Sequence, residues 1–260
     1  MGRRADRAPV NLGLLTFNTL FRGDSRARIR ALAAILEDSP YDVVCLQEVV
    51  SPLNLAALRR ATPSYPYIAH GPSVPLVRGG LVTLSRRPIV RRHFHPYRFT
   101  GRPRLEGLLR KGVLLTRVRS GDEHITVANT HLTANMDNDW DLANPYTRIE
   151  ANELAQLAEF LAHPRLTDPL IVAGDFNVPR GSPLLRDFRA ATGLADVLNG
   201  DPAPTFRPTP ELSLEPIDQI LATPPLTATT TVVFKDEIRL PGGRACHLSD
   251  HYGLAAAFTA

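Results

Sequence analysis

The amino-acid sequence predicts a single domain of mixed α and β structure. Two observations lead to this prediction: segments with the apolar spacing of strands alternate with segments that have the spacing of helices, and polar residues follow the apolar strands. These polar residues are spread from position 18 to position 251. Because they can act together only if the chain brings them to one site, we expect residues 11–260 to form one domain and residues 1–10 to be a disordered tail.

The first 60 residues predict two strands, each followed by a helix. Leu12–Phe17 and Val43–Gln47 are short apolar runs, which are typical of buried strands. Ser25 precedes a segment with apolar residues on one helical face, so we expect it to cap a helix that ends at Ser39-Pro40. Ser51–Leu58 predicts the second helix, because proline follows the capping serine at the first helical position.

The middle of the chain predicts four strands with no long helix between them, and this order favours an antiparallel meander. The four strands are Gly80–Leu84, Ile89–Phe94, Val113–Val118 and Ile125–Thr130.

The last part of the chain returns to alternating elements. Tyr146–Leu161 is the clearest predicted helix, because its apolar residues recur along one face. A strand at Leu170–Ala173 and a helix at Ser182–Ala191 follow it, and the proline-rich run Asp201–Pro210 predicts a loop. The remaining predicted strands are Ile217–Leu221, Thr229–Phe234 and Gly253–Phe258.

The composition narrows the class of protein. No stretch approaches 18 apolar residues, and the first ten residues lack the apolar core of a signal peptide. The two cysteines, Cys45 and Cys246, do not make a disulfide framework, so we expect a reducing cytoplasm. We also expect the protein to be a monomer. The net charge is +4, and basic residues are densest from Arg86 to Lys111. That segment either guides an anionic substrate or forms a solvated edge hairpin.

Polar groups at the ends of apolar strands indicate a functional site. The run Gly174-Asp175-Phe176-Asn177 directly follows a buried strand and delivers a carboxylate and a carboxamide to one place. Such groups are unexpected in an apolar core, because burying them without hydrogen-bond partners costs free energy. A phosphoryl-transfer site that holds a hard metal ion does need them. Equivalent groups end other predicted strands: Asn18, Gln47-Glu48 and Asn129-Thr130-His131. A further group, Ser249-Asp250-His251, lies just before the C-terminus.

This set of motifs resembles the endonuclease/exonuclease/phosphatase superfamily, which includes DNase I, abasic-site endonucleases, inositol polyphosphate 5-phosphatases, deadenylases and neutral sphingomyelinases. The resemblance covers the chain from Leu12 to Phe258. It implies a four-layer α/β sandwich, in which two mainly antiparallel sheets pack face to face with helices on the outside. The sequence pattern alone predicts only mixed α and β structure.

The predicted metal is Mg²⁺, with Mn²⁺ able to substitute. Mg²⁺ keeps several waters and typically takes only one or two protein carboxylates. Glu48, at the end of a buried strand, suits this role with help from Asn18, and the resemblance implies the same assignment. The resemblance also places Asp250 against the metal or its waters.

The predicted catalytic residues are His131, Asp175, Asn177, Asp218 and His251. The resemblance implies that His251 deprotonates or orients the attacking water and that Asp218 orients His251, although the family often has Tyr where this chain has Gln219. His131 and Asn177 are expected to donate hydrogen bonds to the phosphate. Asp175 either positions water or protonates the leaving group, and the sequence leaves both roles open.

The motifs around His131 are similar to those of neutral sphingomyelinases and their bacterial relatives. The carboxylate that abasic-site endonucleases carry two residues after the first asparagine is replaced here by Leu20. We expect four residues to contact the substrate: Asn129, Lys111, Arg148 and Trp140.

The sequence therefore predicts a metal-dependent phosphodiesterase that uses in-line attack by water. A phospholipid head group is the favoured substrate, with peripheral membrane contact. The alternatives are a nuclease and a nucleotide or sugar phosphatase of the same superfamily. A non-catalytic binding module is a remote alternative, because it predicts loss of a key residue and none is lost.

Overall fold

The computed structural model describes residues 11–101, 110–210, 212–240 and 243–259. The predicted N-terminal tail, residues 1–10, lies outside the described residues. So does part of the basic segment, residues 102–109.

In chain order the described strands are β1 (Asn11–Asn18), β2 (Val43–Gln47), β3 (Tyr67–His70), β4 (Val82–Ser85), β5 (Ile89–Pro96), β6 (Gly112–Ser120), β7 (Glu123–His131), β8 (Leu170–Asp175), β9 (Ala195–Asp196), β10 (Asp218–Ala222), β11 (Thr227–Val233), β12 (Ile238–Arg239), β13 (Ala245–Cys246) and β14 (Gly253–Thr259). The described α-helices are α1 (Ser25–Glu37), α2 (Pro52–Ala61), α3 (Pro145–Leu161) and α4 (Pro183–Thr192). None of these helices is long and apolar enough to cross a membrane.

Most described strands belong to two six-stranded sheets of matching design. The first has the order β11-β14-β1-β2-β4-β3 and the second the order β5-β6-β7-β8-β10-β9. Each sheet contains one parallel pair at its centre, β1 with β2 and β7 with β8, and its other neighbours are antiparallel. β12 and β13 form a separate small ribbon.

Three apolar cores show that the molecule has four layers. Alternate side chains of a strand point to opposite faces of its sheet. Leu14 therefore packs between the two sheets with Val127 of β7, whereas the next residue, Leu15, packs against α1 and α2. On the second sheet, Val172 packs outward against α3 and α4. The order is helices, sheet, sheet, helices, and the predicted four-layer sandwich is confirmed.

The N-terminal caps agree with the sequence at two of the helices. Ser51 and Ser182 accept hydrogen bonds from the backbone N–H groups of the first turns of α2 and α4. The prediction was wrong for Ser25, which is the first residue of α1 and follows an N-cap at Asp24. The hydroxyl of Ser25 instead accepts a hydrogen bond from Asn54, at 3.0 Å.

The predicted four-stranded meander is only partly correct. β5, β6 and β7 are consecutive antiparallel neighbours, but β4 lies in the other sheet, beside β2 and β3. The chain crosses from one sheet to the other in residues 86–88. The alternation of apolar residues indicates which face of a strand is buried, but it does not specify the neighbouring strand. The crossing between the sheets therefore could not be predicted from this pattern.

Candidate active site

The sheet topology brings the polar strand ends to one edge of the sandwich. Because β1 and β2 are parallel, their carboxyl ends lie side by side, with Asn18 opposite Gln47. In the second sheet, His131, Asp175 and Asp218 form a row across β7, β8 and β10. Asp218 joins this row because β10 is antiparallel to β8, so its first residue pairs with the last residue of β8.

Gly174 allows β7 and β8 to carry this row. Its φ is 151°, and a Cβ atom at this position would lie 1.9 Å from the carbonyl oxygen of Thr130. A residue with a side chain could not approach β7 so closely. Glycine before Asp175 is therefore a steric requirement of the site.

The carboxylate of Asp175 is the centre of the site and is 1% exposed. Its Oδ2 accepts a hydrogen bond from Nδ2 of Asn18 at 2.9 Å. The same oxygen lies 3.3 Å from Nε2 of His131 and 3.7 Å from Nε2 of His251. Oδ1 accepts a hydrogen bond from the backbone N–H of Asn177 at 2.9 Å. Both sheets therefore meet at one buried carboxylate.

The positive groups around Asp175 favour its ionised form. Burial alone would raise the pKa of this carboxyl, but His251, His131 and Lys111 outweigh it and hold the pKa well below its usual range. Nζ of Lys111 lies 2.6 Å from Nε2 of His131, and both side chains are buried. A phosphoryl group that enters this place would meet several donors at short range.

Asp218 holds the ring of His251. Its Oδ2 lies 2.9 Å from Nδ1 of His251, so Nε2 is left facing Asp175. Burial lowers the pKa of His251. The carboxylates of Asp218 and Asp175 outweigh this effect and raise the pKa to about 10. Burial raises the pKa of Asp218, and the charge of His251 opposes that rise. The ring of Phe206 packs edge-on against His251, with centroids 5.1 Å apart.

Glu48 stands at the mouth of the site and is half-buried. Its φ is 63°, and Gly80, whose φ is 64°, lies so close that a Cβ there would be 3.1 Å from Cα of Glu48. The carboxylate accepts a hydrogen bond from the backbone N–H of Phe21 at 2.9 Å and one from Nδ2 of Asn18 at 3.3 Å. Each carboxylate oxygen keeps a lone pair for another partner.

The predicted ligands offer carboxylate and amide oxygens, which are the ligand atoms that a hard divalent cation prefers. Glu48 and Asn18 are in direct contact, and one or two carboxylates with waters suffice for such an ion. Asp250 is half-buried at the same edge and its Oδ1 accepts a hydrogen bond from Ser249 at 3.1 Å. Among the described residues, the tight group of carboxylate and imidazole ligand atoms is a different one, Asp175, Asp218 and His251. Since Asp218 and His251 already bond each other, we interpret that group as catalytic.

Asn177 and Trp140 form the far side of the site. Asn177 has a φ of 52° and its Nδ2 donates to the carbonyl of Leu132 at 2.9 Å. Nε1 of Trp140 donates to the carbonyl of Asn177 at 3.1 Å. The loop after β7 is therefore fastened to the loop after β8.

One of the predicted substrate contacts, Asn129, is engaged within the protein. Asn129 is fully buried between the sheets, where its Nδ2 donates to the carbonyls of Leu46 and Val82, both at 3.1 Å. Its Oδ1 accepts from Nε2 of Gln47 at 2.8 Å. Asn129 thus links the two sheets and has both amide hydrogens occupied within the protein. Arg148 is exposed on α3.

Sequence reasoning missed two supporting residues. Thr205 lies in the proline-rich loop, and its hydroxyl oxygen accepts hydrogen bonds from the backbone N–H groups of Ile217 and Asp218, each at 3.0 Å. Buried Arg180 donates to Oε1 of Gln219 and to the carbonyl of Asp218, each at 2.9 Å. Both residues position the start of β10. Neither carries a sequence signal, because their partners become neighbours only on folding.

Comparisons with known proteins agree with this geometry. Residues 15–251 match the Endonuclease/Exonuclease/phosphatase family, so the chain belongs to that family. Sphingomyelin phosphodiesterase 2 of Homo sapiens is 29% identical over 178 residues, which cover 65% of this chain and 40% of that protein. The chain spans 36–40% of the length of the curated relatives it matches.

Solved structures share the fold over nearly the whole chain. Sphingomyelinase C from Streptomyces griseocarneus has a TM-score of 0.72 at 20% identity, covering 95% of this chain and 99% of that one. D. rerio TDP2 complexed with a single-strand DNA product has a TM-score of 0.73 at 18% identity, covering 95% and 98%. These likenesses establish a DNase I-like fold.

Proposed function

We propose that this member of the Endonuclease/Exonuclease/phosphatase family is a Mg²⁺-dependent phosphodiesterase that acts on phospholipid head groups. One observation supports hydrolysis most strongly: the imidazoles of His131 and His251 both face Oδ2 of Asp175. Their Nε2 atoms lie 3.3 and 3.7 Å from that oxygen. With Lys111 beside them, they form a compact set of donors and acceptors for a phosphoryl group.

Each residue has a role that follows from its contacts. Asp218 fixes the orientation of His251, so Nε2 of that ring faces the reacting group. His131, supported by Lys111, donates to a phosphoryl oxygen and stabilises the charge that develops there. Proton removal from the attacking water needs a basic atom within hydrogen-bond reach. The ionised Oδ2 of Asp175 meets that need, and Nε2 of His251 meets it only in the neutral form of the ring, since the raised pKa of His251 otherwise keeps that atom protonated.

Glu48, with Asn18 and Asp250, would hold the divalent cation at the mouth of the site. When bound, such an ion neutralises charge on the phosphoryl oxygens and on the leaving oxygen. The hydrogen bonds that Glu48 accepts from Phe21 and Asn18 fix its carboxylate in the direction of the site.

Exposed apolar side chains around the mouth favour a lipid substrate. Nine large apolar side chains are exposed among the described residues. Six of them lie in segments that follow the carboxyl ends of β1, β2, β3 and β7. These strand ends form the edge of the sandwich that bears the site. We call these six the apolar rim: Phe21, Leu53, Val74, Leu76, Met136 and Leu142. Apolar side chains that surround a site in this way suit contact with a lipid–water interface.

The basic segment gives less support to nucleic acid than its composition suggested. Arg86 donates to the carbonyls of Leu36, Ser39 and Tyr41 at the end of α1, and Arg87 pairs with Asp42 at 3.0 Å. These two arginines stabilise the fold and do not form a continuous surface for phosphates. The nuclease alternative keeps the support of the shared fold with DNA-bound TDP2.

The test compares lipid and nucleic-acid substrates at matched Mg²⁺. We expect release of phosphocholine from sphingomyelin micelles by the wild type and none by His251→Ala. Nicking of supercoiled plasmid without any lipid turnover would refute the lipid assignment and promote the nuclease.

A rim variant separates lipid contact from chemistry. Leu142 is 66% exposed, so Leu142→Asp should leave turnover of soluble bis(p-nitrophenyl) phosphate intact and reduce turnover of micellar sphingomyelin. Ile35→Asp, at an exposed apolar residue on α1, is the matched control and should change neither activity. Equal effects of the two variants would argue against the rim.

A further inference from the structure

A second cavity lies on the outer face of the second sheet, away from the candidate active site. Its volume is about 410 Å³. Its floor contains Arg91, Arg117 and Thr126, which are directly opposite one another across β5, β6 and β7. The end of α3 and residues 163–168 form its wall. Thr126 precedes His131 by five residues in β7, a separation of roughly 16 Å along the strand.

Positive charge in this cavity exceeds the negative charge. Four arginines line it against one acid, Asp168, and one of the four, Arg92, donates to the carbonyl of Ile68 at 3.3 Å. That carboxylate is already bound by Arg117, whose Nε and Nη2 lie 2.6 and 3.1 Å from its two oxygens. Like charges directly opposite each other in a sheet are destabilising, yet Arg91 and Arg117 occupy such a pair. Asp168 offsets the charge of Arg117, so a bound anion would offset the charge that Arg91 leaves beside this ion pair. The lining arginines are Arg91, Arg92, Arg117 and Arg165.

The lining of the cavity also has an apolar part. Leu115, Phe160 and Leu166 form this part. The ring of Phe160 stacks on His93 with centroids 5.9 Å apart, which fixes the ring at the cavity wall. A ligand that satisfies both parts of the lining needs an anionic group and an apolar part.

We propose that this cavity binds a phosphate monoester that carries an apolar arm. Arginine binds phosphate with two parallel hydrogen bonds, and the exposed side chains of Arg91 and Arg165 have this planar fork available at the cavity. The apolar arm packs against Phe160 and Leu166. Such a group comes either from a soluble alkyl phosphate or from the head of an acidic phospholipid. The proposal is independent of the hydrolytic function, because it uses none of the residues of the candidate active site.

The experiment measures binding of hexyl phosphate by calorimetry in EDTA, and co-sedimentation with phosphatidylcholine vesicles that contain phosphatidic acid. The cavity variant is Arg91→Gln with Arg165→Gln. The control variant is Arg59→Gln with Arg60→Gln, which removes the same charge from exposed positions on α2, in the opposite outer layer. Melting temperature and turnover of bis(p-nitrophenyl) phosphate should be unchanged in both, so a loss of binding cannot come from misfolding or from the active site.

We expect the cavity variant alone to bind hexyl phosphate at least about tenfold more weakly, the loss expected from removing hydrogen bonds to a charged group. Loss of vesicle binding in the cavity variant alone, without a difference for hexyl phosphate, would support the phospholipid as the source. Binding that is the same in wild type, cavity variant and control, or no binding of either probe by the wild type, would overturn the proposal. If the double variant does not fold, Arg165→Gln, at an exposed loop position, gives the same test.

Discussion

Replacing Asp218 with asparagine tests the central feature of the site. Asp218→Asn keeps the shape of the side chain and removes the charge that holds Nδ1 of His251 at 2.9 Å. A hydrogen bond to a charged group contributes about 1.5–3 kcal/mol, which corresponds to about tenfold to 150-fold in rate. We therefore expect kcat on bis(p-nitrophenyl) phosphate to fall by at least about tenfold from this bond alone.

The pH profile gives a second readout of the same variant. Asp218 is one of the groups that raise the pKa of His251 to about 10. Without that charge, the pKa of His251 falls towards its ordinary value, so the limb of the pH–rate profile that belongs to His251 moves to lower pH. The assay is kcat against pH for wild type and variant at saturating Mg²⁺.

Asp196→Asn is the matched control. Asp196 is another buried carboxylate, in the strand next to β10, and it accepts hydrogen bonds from the backbone N–H groups of Leu198 and Gly200. This control should leave kcat and the pH profile unchanged. The reasoning would be refuted if Asp218→Asn kept wild-type kcat, or if both variants lost activity in proportion to a drop in melting temperature.

Three further predictions concern the metal, the phosphate contact and a buried acid. EDTA should abolish turnover and added Mg²⁺ should restore it. The Glu48→Ala variant should need more metal than the wild type for half-maximal activity. If the variant needs the same metal concentration as the wild type, Glu48 is not a metal ligand. His131→Ala should lower kcat by about 10²–10³-fold at an unchanged melting temperature, the range expected for removing one donor to developing negative charge, and a loss that follows unfolding instead would contradict the role. Glu150 is fully buried and burial raises its pKa to about 9, so its folded-state pKa lies above the unfolded value and stability should fall as pH rises between the two. Glu150→Gln should therefore raise the melting temperature at neutral and alkaline pH and flatten its pH dependence, which calorimetry can measure.

The sequence by itself predicted the four helices, ten of the fourteen described strands and the polar residues at the strand ends, and it missed the short strands β3, β9, β12 and β13. Carboxylates such as Glu48 and Asp175 directly after apolar runs were predicted to be functional, because such groups are too costly to bury without partners. Serine followed by proline marked the starts of α2 and α4, because both residues act locally, within one helical turn.

The tertiary structure alone decided which of these residues meet. Asn18 and Asp175 are 157 residues apart in the chain, yet one hydrogen bond joins them across the two sheets. The pairing of β8 with β7 and β10, which aligns His131 with Asp218, joins residues 44 and 43 positions apart in the sequence. Asn129 is the converse case. It is a polar residue two positions before His131, but in the folded protein it joins the two sheets. Periodicity reports which face of a strand is buried, whereas the neighbour of each strand depends on how the whole chain packs, and that choice decided which strand-end residues became a site.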